Sequence, residues 1–110
     1  MGKRGRQRKA EQLRAPTSEY DGLELRGAMT PATRQEYASL PSRVREDAWQ
    51  RQVEFLFERL AVSWTVDGVT YAKQKELLGR YRMASSDERA AVRTALRAHL
   101  AEHFPELEAP

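Results

Sequence analysis

One stretch limits the folds open to this chain more than any other. Between Pro41 and Ser63, Trp49, Val53, Leu56, Phe57 and Leu60 recur at helical spacing and share one face at 100° per residue. Val44, Ala48, Phe55 and Val62 form a second apolar strip well away from the first, with Arg51 and Glu58 between that strip and solvent. A helix that is apolar on two sides has to be covered on both. The pattern therefore predicts a central helix, capped by Ser42 and running to about Val62, with neighbours packed against each strip.

The remaining chain supplies the neighbours. Thr30-Pro31 reads as an N-cap followed by proline in the first turn, and it opens a short helix that Pro41 ends near Leu40. A third helix is expected over about Ala72 to Met83, with Leu77, Leu78 and Tyr81 inward. Ser85 and Glu88 have the spacing of a capping box. They open a last helix that carries Val92, Leu96, His99, Leu100 and His103 on one side and stops before Pro105. Between the helices, β-branched and aromatic residues flank Asp67-Gly68, the preferred chemistry of a two-residue type I′ turn. The fold expected is thus mainly α: a small bundle of about four helices with a short β-hairpin or extended loop near residues 63–71. It divides into a disordered basic arm (1–14), an extended linker (15–29) and a single helical domain (30–110). The linker carries Pro16, Gly22 and Gly27, and its alternating stretch is expected to lay Leu23, Leu25 and Met29 on the body.

Charge is distributed unevenly along the 110 residues. Met1 to Arg14 holds six basic groups against one acid, a net charge of +5, whereas the other residues sum to −2. The arm offers too little apolar surface to offset its ordering entropy. Arginine (15) far outnumbers lysine (4), and isoleucine and asparagine are missing, the bias of a GC-rich genome. An arginine-lined helix face is correspondingly weaker evidence of phosphate binding here. Without cysteine there are no disulfides, thiolate nucleophiles or cysteine zinc sites. No apolar run approaches membrane-spanning length, and the first residues lack the apolar core of a secretory signal, so a cytoplasmic location without membrane contact is expected.

Three features bear on function. In the arm, Lys3, Arg4, Arg6, Arg8 and Lys9 suit phosphate contacts along a polyanion, DNA or RNA, through counterion release. No aromatic residue accompanies them, so base stacking is not indicated. On the last helix, Arg89, Arg93 and Arg97 line one side and form a secondary nucleic-acid candidate, although Asp87 and Glu88 occupy the turn that would approach bases. The opposite face of that helix, Ala90, Ala91, Thr94, Ala98 and Ala101, is small enough for close approach of another helix, either within the chain or across a dimer seam.

His99-Leu100-Ala101-Glu102-His103 spells the H-x-x-E-H pattern of inverted zinc metallopeptidases, which the chain resembles in nothing else. Both histidines sit on the apolar stripe with Val92 and Leu96, where a structural role suffices. They are remote metal candidates only, and no cofactor is expected. No Gly-rich phosphate loop and no nucleophile–base spacing appears. The leading expectation is a non-enzymatic accessory protein contacting nucleic acid through its arm. The alternative is a helical module that binds a protein partner, or a second copy, through the Asp67-Gly68 loop or the alanine-rich face.

Overall fold

A computed structural model describes residues 16–40 and 48–110. The basic arm, the Ser42 cap and Val44 lie outside the described residues. Element order is β1 (Thr17–Tyr20), β2 (Leu23–Arg26), α1 (Pro31–Ala38), α2 (Ala48–Leu60), β3 (Ala61–Val66), β4 (Val69–Tyr71), α3 (Gln74–Arg82) and α4 (Ser86–His103). The four strands form one antiparallel sheet in the order β1-β2-β3-β4. The architecture is therefore an α+β mix, which corrects the mainly-α bundle expected from the helical periodicities.

Two local causes account for the difference. The stretch expected as a linker is half of the sheet. Asp21 (φ 50°) and Gly22 (φ 87°) make a tight turn with the left-handed backbone of type I′, and it pairs Thr17–Tyr20 with Leu23–Arg26. Asp67 (φ 51°) and Gly68 (φ 79°) repeat the same turn between β3 and β4, as that dipeptide predicts. The central helix, in addition, ends at Leu60 rather than Val62, and the chain passes directly into β3. Along β3, Glu24 of β2 faces Ser63 and Leu25 faces Ala61, so Val62 is the extra residue of a β-bulge. Ala61 and Trp64 lie three apart and would point to opposite faces of a regular strand. With the bulge between them, both are buried.

The hairpins and helices close over one core. Leu23 and Leu25 from β2, Val53, Leu56, Phe57 and Leu60 from α2, and Val92, Leu96 and Leu100 from α4 are all withdrawn from solvent. Phe57 lies edge-on to Trp64 at 5.3 Å and stacks on Tyr81 at 4.9 Å, so α2, β3 and α3 meet at one aromatic cluster. The opposite sheet face carries polar residues such as Glu19, Glu24, Ser63, Thr65 and Thr70. Leu23, Leu25 and Met29 are buried as expected, although the first two reach the core from a paired strand.

Helix ends follow the local chemistry. The Thr30 hydroxyl accepts from the Thr33 amide at 3.1 Å, and Pro31 sits in the first turn. Ser85 and Glu88 form the reciprocal capping box, with the Glu88 amide donating to Ser85 Oγ at 3.1 Å and the Ser85 amide to Glu88 Oε1 at 2.9 Å. The Ser85 amide and the Arg80 guanidinium hold the Glu88 carboxyl below its usual pKa. Among the described residues no helix is long and apolar enough to cross a membrane.

Candidate interaction groove

Helix α4 is the hub of the molecule because three of its faces meet different surroundings. Its apolar face enters the core. The arginine row of a second face is engaged by the body. Arg89 Nη2 donates to the Arg82 carbonyl at 3.0 Å and lies over the Tyr81 ring. Arg93 Nε and Arg97 Nη1 converge on the Pro110 oxygen at 3.1 and 2.7 Å, and the Arg93 guanidinium lies 4.4 Å from the Trp49 ring centroid. The structure thus brings the three arginines onto one side of α4, each with a donor spent on a backbone oxygen. The segment after α4 is strapped down by the same contacts, with Phe104 fully buried and the Tyr37 hydroxyl donating to the Glu108 carbonyl. Burial and then Glu108 push the Tyr37 phenol up to about 12.

The two histidines anchor the β1–β2 hairpin to α4. His99 is fully buried, and its ring nitrogens face two acceptors or donors from the hairpin. Nδ1 lies 2.9 Å from the Tyr20 hydroxyl and Nε2 lies 2.7 Å from the Arg26 carbonyl. A carbonyl only accepts, so Nε2 carries the proton and the Tyr20 hydroxyl donates to Nδ1. Burial depresses the His99 pKa, although the Arg26 carbonyl favours the protonated ring. His103 packs 4.5 Å from His99, and its Nε2 reaches Ser18 Oγ at 3.2 Å. A metal bound between the histidines would have to displace Tyr20 or Arg26 from His99. Among the described residues no group of three or more potential ligands gathers.

The third face of α4 is the small one, and it is open. Ala90, Ala91, Thr94, Ala98 and Ala101 are all exposed. Ala91, Thr94, Ala95 and Ala98 form one wall of a groove of about 600 Å³. Its floor is Leu23, Trp64 and Val92. The far wall is built by the two Asp-Gly turns, which bring Asp21 and Asp67 to the rim beside Thr65 and Val66. The β2–β3 pairing sets the two turns side by side, with the Thr65 amide donating to the Gly22 carbonyl at 2.9 Å. Glu88 completes the lining, and it is held by Arg80 at 2.6 Å. Among the described residues, three acids and no lysine or arginine line this groove, in a chain with 19 basic residues.

Reading by sequence singled out the alanine face and the Asp67-Gly68 turn separately. It missed that Asp21-Gly22 completes the wall opposite that face. The missing signal was available in the chain, since Tyr20-Asp21-Gly22-Leu23 carries the same turn dipeptide as Val66-Asp67-Gly68-Val69. Lys3, Arg4, Arg6, Arg8 and Lys9 lie outside the described residues. Comparison with protein-family models, curated proteins and solved structures finds no match to this chain.

Proposed function

We propose that this protein is a non-enzymatic, cytoplasmic interaction module whose groove receives a basic segment of a protein partner. The observation that carries this reading is the groove itself: a small-residue helix wall facing two aspartate-tipped turns over an apolar floor, with no positive charge among the described residues that line it. Small side chains let a convex segment approach the α4 backbone closely. Lysine and arginine stems cover apolar surface while their heads remain in water near Asp21 and Asp67. A concave groove does not complement itself, so a two-fold pairing of groove to groove is disfavoured.

The test is a titration of the full chain with an amphipathic peptide of leucine, alanine and lysine, about 15 residues long so that it can form a helix. Amide shifts are followed by NMR. Shifts confined to Val66, Asp67, Ala91, Thr94 and Ala98, and lost in Ala98→Arg, support the reading. Shifts spread over the polar sheet face, or unchanged by Ala98→Arg, refute it.

The charge of the arm favours a second reading, in which Lys3, Arg4, Arg6, Arg8 and Lys9 contact the phosphates of DNA or RNA. Binding of labelled duplex DNA and single-stranded RNA at several salt concentrations, with and without residues 1–14, tests it. The reading requires arm-dependent affinity that falls steeply with salt.

A further inference from the structure

We infer that the basic arm of the same chain, residues 1–14, occupies the α4 groove in the free protein and is the segment an incoming partner must displace. The inference rests on the groove being a site for basic segments. It names the first such segment the groove meets.

Charge, reach and route support it together. The arm carries six basic groups and one acid, whereas the described residues that line the groove include three acids and no base. Glu88 is already paired with Arg80, so Asp21 and Asp67 supply the field at the rim. The described chain starts beside the far end of the hairpin, where the Pro16 carbonyl accepts from the Gly27 amide at 2.9 Å. From there β1 runs four residues to Asp21, a path of about 13 Å at the usual strand rise. Fourteen extended residues span up to about 45 Å, so the arm has ample length to turn back along the hairpin and lie across the groove. The strand order leaves the outer side of β1 unpaired among the described residues, which opens that path.

Each contact between an arm cation and an exposed aspartate is weak and salt-screened. Tethering compensates, because a short linker holds the arm at an effective concentration in the millimolar range. Occupation is then reversible, as a displaceable resident segment requires. Its release would couple the two proposed activities: a partner entering the groove frees the arm for a polyanion.

The absence of cysteine allows a clean test in the full chain. A nitroxide is attached at Gly5→Cys, and paramagnetic broadening of backbone amides is recorded by NMR at about 20 mM and about 500 mM salt. Asp21→Asn with Asp67→Asn serves as the comparison, since asparagine keeps the type I′ turns while removing their charge. Expected is broadening centred on Asp21, Asp67, Ala91 and Ala98 at low salt, reduced about two-fold or more by high salt and by the double substitution. Broadening spread evenly over the body, or centred on the groove but unchanged in the double variant, overturns the inference. A mixture of spin-labelled unenriched chain with unlabelled isotope-enriched chain should show no broadening, and broadening there would overturn arm docking within one chain. The peptide titration separates the two claims. Peptide shifts without arm broadening leave the module standing and remove the resident arm. Arm broadening in the full chain, with no peptide binding even when residues 1–14 are removed, leaves the resident arm and removes the partner site.

Discussion

Gly22 and Gly68 occupy equivalent turn positions with similar backbone angles, yet their surroundings differ. A Cβ at Gly68 would meet nothing within 4 Å, whereas one at Gly22 would lie 2.9 Å from the Thr65 carbonyl oxygen. Gly68→Ala should cost about 1 kcal/mol, the ordinary penalty of a left-handed non-glycine residue. Gly22→Ala should cost more, because Thr65 must also move and its amide bond to the Gly22 carbonyl stretches. Urea denaturation of the two variants checks this, and equal midpoints would show that the close approach of the turns carries no energy. The two positions also show how much of the wall was legible. Asp67-Gly68 reads as a hairpin because Val66 and Val69 flank it locally. Asp21-Gly22 sits beside Glu19 and Glu24, whose polar side chains belong to the open sheet face, and its strand finds β3 more than 30 residues away. Local propensity does not report a pairing made at that distance.

At the scale of elements, His99 couples α4 to the β1–β2 hairpin, and its chemistry gives that coupling a pH dependence. Burial lowers the folded-state pKa below the ordinary histidine value. Above that ordinary value, about 6.5, both folded and unfolded chains hold a neutral ring and the contribution is fully present. As pH falls below it, the unfolded chain binds a proton that the folded one resists, so stability declines until the folded pKa is passed. A protonated ring cannot accept from the Tyr20 hydroxyl, which must turn to accept from Nδ1–H instead, while the buried ring carries a charge. Thermal denaturation between pH 7.5 and about 5 should show a falling midpoint that His99→Gln, which keeps one donor and one acceptor, flattens. A variant with the same slope would place the effect elsewhere. The helical elements were readable in advance because their signals are local: Thr30-Pro31, the Ser85–Glu88 box and the periodicity of α4. The end of α2 was not. Its apolar period continues through Ala61 and Val62, and only pairing with β2 turns those residues into a bulged strand.

Taken as a whole, the molecule separates its charges by role. The body is close to neutral, and the α4 arginines act as fasteners: Arg93 and Arg97 share the Pro110 oxygen, and Arg93 covers Trp49. The arm holds a net charge of +5 that its single acid, Glu11, leaves unbalanced. If this division is correct, the same type of residue should behave in opposite ways at the two places. Arg93→Gln with Arg97→Gln removes two hydrogen bonds and one cation–π contact, a loss of about 1 to 2 kcal/mol for partly exposed groups. The melting temperature should fall by roughly 4–8 °C per kcal/mol for a domain of this size, and amide exchange should rise at Phe104 and Leu107, which the fastened segment carries. Affinity for DNA or RNA, measured below the melting range, should keep its salt slope. Charge removal at Lys3, Arg4, Arg6, Arg8 and Lys9 should do the reverse, flattening the salt slope while leaving the melting temperature in place. Loss of nucleic-acid affinity in the Arg93/Arg97 variant at unchanged stability would instead make the α4 row a binding face, with its contacts to Pro110 exchanged for phosphates.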